Sequence, residues 1–259
     1  MTHTSALIDT DAVQQNLLAV RALTPRAKIC AVVKDNAYGH GVEIISSAIS
    51  AEVDAFSVAT IEEGSQLRGI GVELPIWVFS GFLDSRELSQ ISQFDLTPVI
   101  HSAYQLQLIE KSKLRIPIIV EIDTGMGRLG VRYDESDDFL ARANNVANLT
   151  VILSHFSESD LQSSDHTSMQ MEKFENVAIG LDVPRSIANS AAIISGCYDV
   201  VDWVRPGLML YGVSPFANST GADHGLRASM TLESRLIAIR KMRKGDSIGY
   251  YSTWCCPEE

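Results

Sequence analysis

Eight short apolar runs recur along the chain, and longer amphipathic stretches separate them. The runs are KICAVVK (28–34), AFSVAT (55–60), IWVFS (76–80), LTPVI (96–100), IPIIVEID (116–123), LTVILSHF (149–156), RSIANS (185–190) and VDWVRPG (201–207). They are rich in β-branched residues and mostly apolar on both faces. Strands of a parallel sheet need that composition, because neither face meets water. The intervening segments, such as VEIISSAISA, TIEEGSQLRGI and SAYQLQLIEKS, are helix-like, and a further helix over about 10–24 precedes the first run. Eight such alternations predict an α/β fold, a (β/α)8 TIM barrel. A doubly wound sheet usually carries a glycine-rich phosphate turn after its first strand, whereas here that strand leads into KDNAYGHG with no G-x-G-x-x-G.

The texture changes after Gly212. A loop through SPFANSTGADHG leads to MTLESRLIAIRKMRKGDSIGYYSTW, in which Lys244-Gly245-Asp246 predicts a hairpin turn between two alternating strands. The expected division is a barrel over 1–215 and the start of a β domain over 216–259. About two strands are too few for an independent fold, so that second domain is expected to be incomplete.

The 259 residues suffice for one large core and a small appendage. A net charge of −11 without any Lys/Arg run disfavours nucleic acid and anionic membrane surfaces as partners. No apolar stretch is long enough to span a bilayer, and MTHTSALIDT does not have the pattern of a secretory signal. Cys30, Cys197, Cys255 and Cys256 lack paired C-x-x-C spacing, so no metal site is expected and reduced, cytoplasmic thiols are.

A barrel of this kind places its active site at the C-terminal ends of its strands. Those ends carry Lys34, Arg128 just past the fifth strand, His155, Asn189-Ser190 and Arg205. Two arginines, a histidine, a hydroxyl and a lysine at one mouth suit a multiply anionic ligand, with one amine available for covalent work. Lys34 alone reads either as a solvated strand-end lysine or as a partly desolvated amine that forms a Schiff base. The Tyr38-Gly39-His40-Gly41 that follows favours the second reading.

AVVKDNAYGHG resembles the cofactor-lysine signature of alanine racemases, which are fold-type III pyridoxal-phosphate enzymes. Five further blocks carry the same resemblance: DTGMGRLGV (123–131), SHFSESD (154–160), ANSAA (188–192), VRPGLMLYGVSP (204–215) and IGYYSTW (248–254). They follow the family's order and spacing and cover essentially the whole chain.

The resemblance implies that Lys34 binds pyridoxal 5'-phosphate covalently and serves as one of two acid/base groups. It implies that Tyr38, Asn189, Ser190 and Gly207 lie at the cofactor, with Tyr38 and Ser190 on its phosphate. Ser190 also reads as a helix N-cap. Arg128 is implied near the cofactor's phenolic oxygen and the substrate carboxylate, and His155 beside the ring. Arg205 is implied against the pyridine nitrogen, where a permanent cation cannot stabilise a protonated ring and so restrains side reactions. Tyr250, contributed by the partner subunit of a homodimer, is implied as the second base; its plainer reading is a strand tyrosine packing an interface. Position 121 departs from the pattern: many relatives have a carbamylated lysine there, and Glu121 is expected to supply that carboxylate directly and orient Arg128.

The expected activity is therefore interconversion of L- and D-alanine for peptidoglycan, with cofactor binding stronger than catalysis in a chain that stops inside the second domain. A broader amino-acid or serine racemase and a non-catalytic pyridoxal-phosphate carrier are the alternatives. A metal hydrolase on His155, Asp160 and His166 lacks the tight ligand spacing such sites use.

Overall fold

The computed structural model describes residues 4–161, 164–197 and 201–258. Eight parallel strands close on themselves: β1 (Lys28–Val32), β2 (Ala55–Val58), β3 (Ile76–Val78), β4 (Thr97–Ile100), β5 (Pro117–Asp123), β6 (Asn148–Leu153), β7 (Arg185–Ser186) and β8 (Trp203–Val204). Closure is made by β8 against β1, with Trp203 opposite Lys28 and Val204 opposite Ile29. This is the (β/α)8 barrel expected from the alternation of runs.

The doubly apolar composition of the runs is explained by the two faces of the closed sheet. One set of residues, Cys30, Ala55, Trp77, Val99, Ile119, Val151, Leu153 and Trp203, packs together inside the barrel. Their strand neighbours Ile29, Ala31, Phe56, Ile76, Val78, Ile118, Val120 and Ile152 belong to the larger cluster under the helices. Side chains alternate between the two because successive residues of a strand point to opposite faces.

Helices α1 (Thr10–Leu23), α2 (Val42–Ile49), α3 (Ile61–Gly69), α4 (Ser85–Gln93), α5 (Ala103–Ser112), α6 (Ser136–Val146), α7 (Asp165–Ala178) and α8 (Ser190–Ser195) surround the sheet. Most begin at a residue whose side-chain oxygen accepts a first-turn amide: Asp9, Thr60, Asp84, Ser102, Ser164 and Asn189. Each such cap is worth about 1 kcal/mol and fixes where a mouth loop ends.

The strands are shorter than the apolar runs. β1 stops two residues before Lys34, β6 two before His155 and β8 one before Arg205. The ends of the runs are thus loop, and that releases the polar residues into the mouth.

Ile8–Met230 forms one compact unit. Residues 216–230, which the sequence places in the second domain, belong to this unit. Fully buried Asn16 on α1 donates to the carbonyls of Leu210 (3.0 Å) and Arg227 (2.8 Å) and accepts from the Arg227 amide (2.7 Å). Met230–Ser234 pairs with Thr4–Ile8, and in the smaller unit Ser247–Ile248 pairs antiparallel with Trp254–Cys255. The turn at 243–246 exists, closed by Asp246 N–H to Arg243 O (2.9 Å), but it does not join two strands. Residues 235–243 have no strand, and Leu236, Ile237 and Ile239 are more than four-fifths exposed. An alternating pattern alone does not make a strand where no neighbour takes up its backbone groups. Among the described residues, no helix is long and apolar enough to cross a membrane.

Candidate active site

At the C-terminal end of the barrel lies a cavity of about 560 Å³. Its lining includes Lys34, Tyr38, Glu121, Arg128 and His155, together with Asn189, Ser190, Arg205 and Gly207 from the last two strand ends. The strand-end reading names six of these, and the family resemblance implies the other three, Tyr38, Glu121 and Gly207.

Lys34 opens an unusual turn. Asp35, Asn36, Ala37 and Tyr38 all have φ between 53° and 55°, a full turn of left-handed helix made without glycine. Such backbone costs about 1–2 kcal/mol per L-residue, so its surroundings must hold it. The Asp35 amide donates to Glu63 Oε1 (2.6 Å), and the Val42 amide donates to Asn36 Oδ1 (2.8 Å). Ala37 is fully buried, and its amide returns to Val33 O (2.9 Å). The Tyr38 ring packs on Tyr211 at 5.0 Å, and the Tyr211 hydroxyl donates to Val32 O at 2.9 Å. The left-handed turn brings the side chains of Lys34 and Tyr38 to the same cavity.

The opposite wall uses glycine. Asp123, at the end of β5, accepts from the amides of Gly125 and Gly127, both at 3.0 Å. Gly130 has φ +111°, and a Cβ there would lie 2.7 Å from the Asp123 nitrogen. The loop therefore folds back tightly on its strand and holds out Arg128.

Arg205 lines the cavity and is buried, only 3% exposed. Its guanidinium donates to Ser186 Oγ (2.6 Å), Ser154 O (2.7 Å) and His155 Nδ1 (3.2 Å). These are three of the five N–H donors an arginine has. All three partners are neutral. An arginine N–H can only donate, so His155 Nδ1 must present its lone pair, and the imidazole carries its proton on Nε2. Burial, followed by the charges of Arg205, Arg128 and Lys34, pushes the His155 pKa down to about 3. Burial lowers Arg205 to about 10, which still leaves it protonated at neutral pH. Burial raises the Glu121 carboxyl, opposed by Arg205 first and then by Arg128 and His101. Glu121 shares the field of both arginines and makes no direct ion pair with either among the described residues.

Ser190 Oγ accepts from the amides of Gly207 (3.0 Å) and Met209 (3.3 Å). The cap of α8 is Asn189, whose Oδ1 takes the Ala192 amide at 3.1 Å, so Ser190 is not the N-cap. A Cβ on Gly207 would come within 2.9 Å of the Tyr38 hydroxyl, so glycine lets the phenol lie against the backbone. Burial and nearby Asp35 raise the Tyr38 pKa, keeping the phenol a donor. Tyr250 lies in the smaller unit, in the single turn Tyr250–Ser252, with 93% of its surface exposed.

Sequence reasoning missed Ser186 and Ser154, which hold Arg205. Both sit inside the quoted runs, but nothing there ties them to Arg205, and Ser154 acts through its main-chain carbonyl, which no side-chain pattern reports.

Lys34, Arg128 and Arg205 face one cavity whose lining acids are Glu121 and Asp160. The donor set fits a ligand with several anionic oxygens and a carbonyl able to condense with an amine. This defines a class: a (β/α)8 barrel with a lysine and two arginines facing one cavity at its mouth. Residues 8–215 match the family described as "Alanine racemase, N-terminal domain", and the chain belongs to that family. It is 43% identical, over its whole length and 73% of the relative's, to the alanine racemase of Nitrosococcus oceani. The crystal structure of biosynthetic alanine racemase from Pseudomonas aeruginosa superposes with a TM-score of 0.94 at 32% identity, covering 100% of this chain and 73% of that one. Alanine racemase from Bartonella henselae with covalently bound pyridoxal phosphate superposes with a TM-score of 0.88 at 29% identity, over 100% of this chain and 73% of that one.

Proposed function

We propose that this chain is a pyridoxal-phosphate-dependent racemase that interconverts L- and D-alanine, supplying D-alanine for peptidoglycan in the cytoplasm. The observation that carries the reading is Lys34 at the mouth of a barrel, facing a cavity whose buried cation, Arg205, has only neutral hydrogen-bond partners among the described residues. The bound cofactor would supply the electron sink that lets the amino acid's Cα give up its proton.

The residues of the chain do the rest. Lys34 attaches the cofactor through its Nζ and moves a proton on one face of Cα. The side chains of Tyr38, Ser190 and Asn189 would hold the phosphate, and Gly207, with no side chain, would leave it room beside the Tyr38 hydroxyl. Arg128 binds the substrate carboxylate. Arg205 would face the cofactor's ring nitrogen, where a cation that does not readily give up its proton would disfavour protonation of that nitrogen. His155 accepts from Arg205 and keeps the guanidinium turned to the ring. Glu121 holds Arg128 and Arg205 in place by its charge, in the role a carbamate would fill. Tyr250 of a second subunit is the base for the other face, so the active form is a homodimer. A phenol is a weak base, and it would need these cations nearby.

Incubating the chain with pyridoxal phosphate, reducing with borohydride and mapping the peptides tests the reading. A label on Lys34 and formation of D-alanine from L-alanine are expected. A label on another lysine overturns the assignment.

A further inference from the structure

We propose that Gln170, on α7, is a positioning residue that locks the Arg128 loop to the end of β6 and so sets the carboxylate-binding half of the cavity. The inference deepens the function proposed above and rests on Arg128 taking the carboxylate.

Gln170 is fully buried, and every valence of its amide is used. Its Nε2 donates to His155 O (2.9 Å) and to Thr124 Oγ1 (3.3 Å). Its Oε1 accepts from the Ser157 amide (2.9 Å) and the Ser157 hydroxyl (3.1 Å). The orientation of the amide is fixed, since a carbonyl can only accept and a backbone N–H can only donate. Thr124 is the first residue of the loop after β5, and its hydroxyl also meets Ser154 Oγ at 2.9 Å. One side chain thus ties the arginine loop to the strand end that carries His155.

One turn earlier on the same helix, His166 Nε2 donates to Gly125 O at 3.2 Å. A Cβ on Gly125 would lie 3.0 Å from that nitrogen. Helix α7 therefore grips two consecutive loop residues with side chains four apart, which share a helix face. Asp123 holds the loop from within, and Gln170 and His166 hold it from outside. None of these bonds reaches Tyr38, Ser190 or Gly207. An apolar side chain of the same size would fill the space but would leave the register of the two loops unset, and would strand the Ser157 amide.

The test compares Gln170→Met with the unaltered chain by hydrogen exchange. It also measures propionate affinity at saturating pyridoxal phosphate, propionate having alanine's carboxylate and methyl but no amine. Loss of the bonds should speed exchange over 124–130 about tenfold and weaken propionate by about fivefold or more, with cofactor affinity, read by absorbance, within about twofold. Thr124→Val should repeat part of the effect and Thr124→Ser should restore it, which keeps the test valid if Gln170→Met does not fold. The proposal is overturned if loop exchange is unchanged, if exchange rises equally over the whole barrel, or if cofactor affinity falls in step with that for propionate. Failure of the unaltered chain to bind pyridoxal phosphate would overturn the function proposed above, and the exchange data would still decide the clamp.

Discussion

The two walls of the cavity solve one backbone problem in opposite ways. Both need left-handed residues to turn sharply off a strand end. The Lys34 wall makes its turn from Asp35, Asn36, Ala37 and Tyr38, none of them glycine, and holds it with buried packing and bonds from Glu63, Asn36 and Tyr211. The Arg128 wall uses Gly125, Gly127 and Gly130, which take such angles freely. The first wall is strained and pinned, suited to a side chain that must bond to one atom. The second is relaxed and depends on outside supports, suited to a group that meets each incoming ligand.

The largest expected effect separates the walls by function. Lys34→Ala should abolish borohydride-stable attachment of pyridoxal phosphate. Arg128→Ala should leave that attachment intact and weaken propionate by on the order of 2 kcal/mol, about thirtyfold. Mass spectrometry of the reduced protein reads the first effect and titration the second. Equal loss of attachment in both variants would dissolve the distinction.

Gly130→Ala comes next, because its Cβ would meet the Asp123 nitrogen at 2.7 Å and the Ile122 carbonyl carbon at 3.1 Å. A loss of about 2–3 kcal/mol is expected in denaturant unfolding. A neutral result would mean that the loop is not held against its strand.

His155 sharpens the picture through pH. Its pKa is about 3 in the folded chain against 6.5 ordinarily, so between those values the unfolded chain binds a proton that the folded chain does not. Stability of the cofactor-free protein should therefore fall as pH drops from about 6.5 toward about 3, by up to about 1.4 kcal/mol per unit from this group. His155→Gln should flatten that slope. An unchanged slope would show that His155 is not held neutral.

The smallest effects test the strain directly. Gly127 has φ +66° and nothing near its missing Cβ, so Gly127→Ala should cost about 1 kcal/mol from backbone alone. Asp35→Gly should raise stability by less than about 1 kcal/mol, since relief of strain is partly offset by added freedom of the unfolded chain. A marked fall on Asp35→Gly would mean that the turn is not strained.

The barrel was legible because closing a parallel sheet leaves its mark on every strand as a run apolar on both faces. The barrel mouth was legible for a related reason: Lys34, His155 and Arg205 interrupt that apolar pattern where the strands give out. What holds them was not. The Ser186 and Ser154 contacts to Arg205 and the Gln170 contacts to Thr124 and Ser157 join residues far apart in sequence through single hydroxyls and amides, which have no periodicity of their own. The left-handed turn was also hidden, because Asp-Asn-Ala-Tyr gives no glycine signal. The strand expected before Lys244 failed for the converse reason: a residue pattern was present without a neighbouring strand to complete it.

The plug formed by Trp77, Val99, Ile119 and Trp203 inside the barrel has a kinetic consequence. It fills the barrel's interior, so no route to the cavity runs through the barrel itself. In the proposed reaction the two mirror-image forms of alanine must then both arrive and depart on the mouth side, and neither can leave through the barrel's far end. Traffic in both directions then shares the space over Lys34, and a molecule lodged there would hinder entry and departure together.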